Sequence, residues 1–202
     1  MAGAIIAVLA VSIVGGSGTS SFHAARGLPY LQGVAYFNDG EYEQAVDSLD
    51  DAIRFNSVDS EAHRYRGRAR SKLGRRQAAL DDLSRAIDLD PTLALAYDDR
   101  GVVYQTLGQH QRAIEDHDAA IELDPRLALA YANRAAAYRA LDQPQRSAED
   151  FKRAGELFYE SGQFKKAIDE YDKAVQADPE HGSAYASRGA AYEKLAEHER
   201  AI

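Results

Sequence analysis

A 34-residue period constrains this chain more than any other feature. Gly33, Gly67, Gly101 and Ala135 stand 34 apart, as do Ala45, Ala79, Ala113 and Ser147. Tyr104 and Tyr138 keep the step, with Tyr36 two steps earlier. The turn glycines Gly40, Gly74 and Gly108 follow it, and so do the pairs Asp90-Pro91 and Asp124-Pro125. Several residue classes on one beat mark an internal repeat, which governs how every local pattern is read.

Each unit reads as two short helices. Within residues 94–127, Tyr97, Gly101 and Tyr104 share one helical face, and Ala113, His117 and Ala120 form the matching face of a second helix. Gly108 suits a left-handed position between them. Asp124 is placed to cap the following helix, with Pro125 at its first position, where a missing N–H costs nothing. Glycine inside a helix costs about 0.5–1 kcal/mol relative to alanine. Gly33, Gly67, Gly101, Gly155 and Gly189 nevertheless recur at one place, which predicts close helix–helix approach with a neighbour's Tyr or Phe over each. A single pair cannot bury both of its faces, so the units must stack. The expected fold class is all-α, an array of antiparallel helix pairs.

The period breaks once. After Ser147 the next alanine in frame is Ala167, a step of 20, and Ala135 passes to Gly155 by the same step. Residues 145–160 therefore serve as second helix of one repeat and first helix of the next, with Phe151 on both apolar stripes. The repeats fall at 26–59, 60–93, 94–127 and 128–154, the last sharing a helix with 148–181, followed by a partial unit at 182–202. An odd helix predicts either a kink or change of superhelix direction between residues 142 and 163, or local absorption of the change. The last first-type helix, 182–195, is expected to need a further element, from a longer chain or from a partner.

Tyr97 to Pro125 reads Y-x-x-R-G-x-x-Y…L-G…A-I-x-D…A-I-x-L-D-P. On these residues the chain resembles the tetratricopeptide repeat family in its bacterial variant, over residues 26–202. The first repeat departs most, with Pro29 at the usual aromatic place and Ser57 at the usual proline. The resemblance implies a right-handed superhelical solenoid and a non-catalytic scaffold that binds a peptide or protein segment in its concave groove. The alternative is a structural module that homo-oligomerises through the odd helix or the open C-terminal end.

In that family the first helix of each pair lines the groove. The resemblance accordingly places Arg64, Arg68 and Lys72 there, one stripe on the second repeat. It adds Asp98, Gln105, Asn133 and Arg139 from the next two repeats. Residues 60–93 hold 8 basic and 5 acidic groups, whereas residues 26–59 hold 2 and 7. The basic stripe is either a docking point for an acidic side chain, phosphate or carboxylate, or a solvated face. The lysine/asparagine clamp with which some family members hold chaperone tails is not reproduced, because Tyr30, Val34, Tyr65, Leu95 and Asp99 stand at its places.

Arg66, Arg100 and Arg134 each precede an aspartate by 16 residues, Asp82, Asp116 and Asp150, which predicts a bridge between the two helices of a repeat. Arg70 replaces a tyrosine and is expected to extend out of the core. The six histidines show no metal-ligand spacing, no nucleophile–base arrangement is evident, and no cofactor is called for. The net charge of −8 disfavours nucleic acid, and the absence of cysteine removes disulfides and thiolate chemistry.

No Lys, Arg, Asp or Glu precedes Arg26. Residues 2–14 are apolar and 15–21 rich in Gly and Ser, a 1–25 leader whose apolar run of 13 is short for a span of ~20. It reads as a signal peptide or a membrane anchor, with a cytosolic tail as the third reading. Export to the periplasm or outside, or tethering at a membrane through the N-terminus, is the expected localisation.

Overall fold

The structure is a computed structural model and describes residues 20–200. The apolar leader at 2–14 and the final Ala201-Ile202 lie outside the described residues. Ten helices follow one another among the described residues, with no strand. They are α1 (Ser20–Asn38), α2 (Tyr42–Phe55), α3 (Ser60–Lys72), α4 (Arg76–Leu89) and α5 (Ala94–Thr106). Then come α6 (His110–Leu123), α7 (Ala128–Ala140), α8 (Pro144–Glu160), α9 (Phe164–Ala177) and α10 (Gly182–Arg200). None of these is long and apolar enough to cross a membrane.

Within each pair the connection is a tight turn. Gly40, Gly74, Gly108 and Gly162 all carry φ between +71° and +82°, the left-handed region glycine enters without penalty. Asp142, one period after Gly108, takes φ 56° in its place. The Asp-Pro pairs do not cap helices as the sequence suggests. Asp124 ends α6, its carboxylate accepts the N–H of Arg126, and α7 begins only after Leu127. Asp90 does the same with Thr92, because the three residues after it are needed to reverse the chain between repeats.

Each helix packs on the next along the chain, and α1 also touches α3, α3 touches α5 and α5 touches α7. The even helices α2, α4 and α6 approach one another less closely. A row whose members touch is the inner side of a curved stack, so the odd helices form the inner row.

The break in period changes the row rather than the helix. α8 runs uninterrupted for 17 residues with Pro144 at its start, so the change is not a kink inside it. It packs fully against both α7 and α9, and the next inner contact is α8 with α10. The inner row thus passes from odd-numbered to even-numbered helices at α8. The helix manages this because Ser147, Ala148, Phe151, Ala154, Gly155 and Phe158 bury a stripe wide enough for two neighbours.

Four of the five recurrent helical glycines mark the closest approaches, whereas Gly189, expected to be covered as well, has nothing within 4 Å of a Cβ placed on it. A Cβ on Gly33, Gly67, Gly101 or Gly155 would lie 2.6–2.8 Å from Leu49, Leu83, His117 or Tyr171 respectively. The side chain over the glycine is therefore leucine twice, histidine once and tyrosine once, not consistently Tyr or Phe. Each partner lies 16 residues on, since both positions are 8 from the turn and meet across the antiparallel pair. Leucine, imidazole and phenol rings all fill the same notch, so the size of the group matters more than its aromaticity.

Candidate functional site: the inner face

The 16-residue Arg–Asp bridges form as the spacing predicts. Arg66 Nη2 donates to Asp82 at 2.6 Å, Arg100 Nη2 to Asp116 at 2.7 Å, and Arg134 Nε to Asp150 at 2.7 Å. Each arginine also reaches 16 residues backward, to Asp50, Ser84 and Asp118 on the preceding repeat. Arg188 does likewise with Asp172 at 2.6 Å. Each guanidinium sits 8 residues from the centre of both flanking loops, so it can tie its own second helix and the previous one with separate edges of the planar fork. The forward partner is legible from the spacing; the backward one obeys the same number but is set by stacking between repeats.

Arg70 does not extend into solvent. It donates to Asp82 at 2.8 Å, because a buried carboxylate within reach offers more than water does. Burial would raise the Asp82 pKa, but His63 Nδ1 at 3.7 Å and the hydrogen-bonded guanidinium groups of Arg66 and Arg70 outweigh it, and the net shift is downward. At Asp150 burial wins over Arg134, with Asp118 and Glu149 adding to it, and the pKa rises.

Four of the seven expected groove residues are drawn into links along the inner row. Arg64 is buried and donates to Glu61 and, at 2.8 Å, to Asp99 on α5. Asn133 on α7 donates to Asp98 on α5, and Gln105 donates to the Asn133 carbonyl. Asp98 lies 2.8 Å from Nδ1 of the fully buried His117, whose ring covers Gly101. The Arg64–Asp99 and Asp98–Asn133 links join residues 35 apart, one period plus one, the spacing at which neighbouring inner helices face each other. Both could have been found by searching that offset for complementary groups.

The other three remain open to a ligand in different degrees. Arg68 lies 4.4 Å from the Phe37 ring centre and 5.2 Å from that of Tyr65, with Asp99 at 3.3 Å. Lys72 and Arg139 are exposed, the latter 5.8 Å from the Phe151 ring centre. The stripe of Arg64, Arg68 and Lys72 is thus not a free positive surface, because Asp99 and Glu61 compensate its first two members. Among the described residues no His, Asp and Glu group is arranged to hold a metal ion.

Beyond these, α8, α9 and α10 flank an open cavity of about 360 Å³ lined by Glu156, Tyr159, Glu160, Tyr171, Ser187 and Ala190. Sequence reasoning named none of these six. Its signal was the exchange of Arg68 for Glu156 at the equivalent place, two 34-residue repeats and one 20-residue step on.

Family profiles described as tetratricopeptide repeat match residues 30–94 and 94–127, and one described as TPR repeat matches 155–195. No curated protein matches the chain. Among solved structures, that of MamA is 30% identical, with 65% of this chain and 77% of that one covered at a TM-score of 0.59. TTC0263, a thermophilic TPR protein of Thermus thermophilus, is 21% identical, with 83% and 98% covered at 0.61. The second TPR domain of human RPAP3, solved in complex with an HSP70 peptide, is 24% identical, with 54% and 97% covered at 0.50.

Proposed function

Since the chain belongs to the tetratricopeptide repeat family, a fold that serves protein–protein interaction, we propose that it is a non-catalytic scaffold holding a peptide segment along its inner face. The observation that carries this reading is the continuous inner row, α1, α3, α5 and α7 and then α8 and α10. Its backbone is braced by Arg64–Asp99 and Asp98–Asn133, so the face is set before any ligand arrives and little ordering cost falls on the scaffold. Arg68, Lys72 and Arg139 stand on that face as contacts for an acidic element of the ligand. The RPAP3 domain, which shares the fold, holds a peptide. The leader at 2–14, in this reading, carries the scaffold out of the cytosol or tethers it to a membrane.

The test is selection of binding peptides on the purified chain, followed by titration of a selected peptide against Arg68→Glu, Lys72→Glu and Arg139→Glu combined. A loss of tenfold or more in affinity supports the reading. Unchanged affinity sinks the role given to the three cations.

A second reading, self-assembly through α10, has its own observation. Tyr185 and Tyr192 are 42% and 52% exposed, and nothing lies within 4 Å of a Cβ placed on Gly189. Sedimentation velocity over a hundredfold concentration range decides it: a constant monomer excludes assembly, and an oligomer dispersed by Tyr185→Glu with Tyr192→Glu supports it.

A further inference from the structure

At one level of the inner row a cation meets an anion. Arg68 on α3 lies 3.3 Å from Asp99 on α5. Two repeats and one short step later, the same two places hold Glu156 on α8 and Ser187 on α10, and both line the cavity described above. The charge at the first place has reversed and its internal counter-charge has gone.

Among the described residues the lining supplies two carboxylates, two phenol rings and a hydroxyl, and no cationic side chain. The cations that touch these carboxylates come from outside the cavity. Glu156 is met by Lys152 and Arg153 of its own helix, and Glu160 by Arg126 at 3.2 Å. Arg126 is 75% exposed, so its solvent-screened pair with Glu160 yields readily to a better partner, whereas Lys152 and Arg153 hold Glu156 at a more shielded place. Tyr171 is pushed up to about 12, first by burial and then by the negative charges of Glu156 and Glu160, the same charges that favour a cation.

We propose that the cavity between α8, α9 and α10 receives an arginine side chain of the polypeptide bound on the inner face. The guanidinium meets Glu156 and Glu160 while its stem and plane lie against the partly exposed Tyr159, with the buried Tyr171 as the floor, the arrangement in which arginine gains from both charge and aromatic contact. A volume of about 360 Å³ has room for a guanidinium and its stem. The assignment rests on the peptide-scaffold reading and gives the partner a fixed basic residue in addition to the acidic element opposite Arg68, Lys72 and Arg139.

The experiment is NMR titration of the isotope-labelled full chain with three capped tripeptides, Ala-Arg-Ala, Ala-Glu-Ala and Ala-Leu-Ala. A peptide selected on the chain for affinity serves as the fourth probe. The arginine tripeptide is expected to shift the amides of Tyr159, Ser187 and Ala190 saturably, and the other two tripeptides to leave them unchanged. Glu156→Gln with Glu160→Gln, both at partly exposed sites, should weaken that binding at least tenfold with an unchanged circular dichroism spectrum. Equal shifts from all three tripeptides, or full binding by the double variant, overturns the arginine site. If the arginine tripeptide fails while the selected peptide still shifts inner-row amides, the site falls and the scaffold reading stands. If the selected peptide shifts only the outer helices while the arginine tripeptide still fills the cavity, the scaffold reading falls and the cation preference remains.

Discussion

Gly155 and Tyr171 press so closely that a Cβ on the glycine would sit 2.6 Å from Cε1 of the tyrosine ring. The ring is 2% exposed and has no room to withdraw. The notch is what lets α8 and α9 approach, and it recurs at every filled glycine of the array.

Gly155→Ala should therefore cost about 1–3 kcal/mol, the range for overpacking a tight core. Gly189→Ala is the matched control, because its Cβ would meet nothing within 4 Å. That change should be neutral or stabilise by up to about 1 kcal/mol through helix propensity. Urea unfolding of both variants checks the pair, and equal effects would remove the notch as the reason for the glycine.

Arg100 and Asp116 share two hydrogen bonds, Nε and Nη2 to the two carboxylate oxygens at 2.8 and 2.7 Å. Arg100→Met and Asp116→Leu should each cost about 1.5–3 kcal/mol, because each leaves a largely buried charge without its partner. The double variant should cost clearly less than their sum. Additive losses in a double-mutant cycle by thermal unfolding would show that the bridge does not couple the helices.

Glu170 stands where Asp82, Asp116 and Asp150 stand in other units, but the place of their arginine is taken by Ala154. The shared helix imposes this: 154 is also the buried alanine of a second helix, in line with Ala52, Ala86 and Ala120. Among the described residues Glu170 is held by Lys173 at 2.7 Å, and its Oε2 is buried without a partner. Glu170→Met should leave stability unchanged or raise it by about 1 kcal/mol, whereas Asp150→Met should lower it by about 1.5–3 kcal/mol. A loss at Glu170 as large as at Asp150 would contradict the account.

Asp82 and Asp150 should respond to acid in opposite senses. The Asp82 pKa is lowered from 3.8 despite burial, by His63, Arg66 and Arg70. Its contribution is complete above 3.8 and is lost as the pH falls toward the folded value. The Asp150 pKa is raised by burial, so its contribution is largest below 3.8 and declines as the pH rises through the folded value. The melting deficit of Asp82→Asn should shrink on acidification from pH 6, and that of Asp150→Asn should grow. Parallel trends between about pH 2 and 6 would refute the assignment.

The helix pairs were legible because their determinants are local. Turn glycines, apolar faces and the forward Arg–Asp spacing all follow from one antiparallel hairpin, so reading a single repeat sufficed. The groove was less so. A place on a first helix marks Arg64, Asp98, Gln105 and Asn133 as groove residues, but not that they also bond within the inner row itself. Arg70 shows the same limit, since a long side chain has many destinations and its tyrosine-like position does not select among them.

By itself the sequence determined the repeat, the all-α class and the step of 20 at which the array shares a helix, because periodicity is a property of the chain alone. The tertiary structure decided the second partner of each arginine, the bracing across inner helices and the cavity beside Glu156. These depend on how far and at what angle one pair stacks on the next. That geometry is set by the sizes of the side chains in every notch together, and no single period records it.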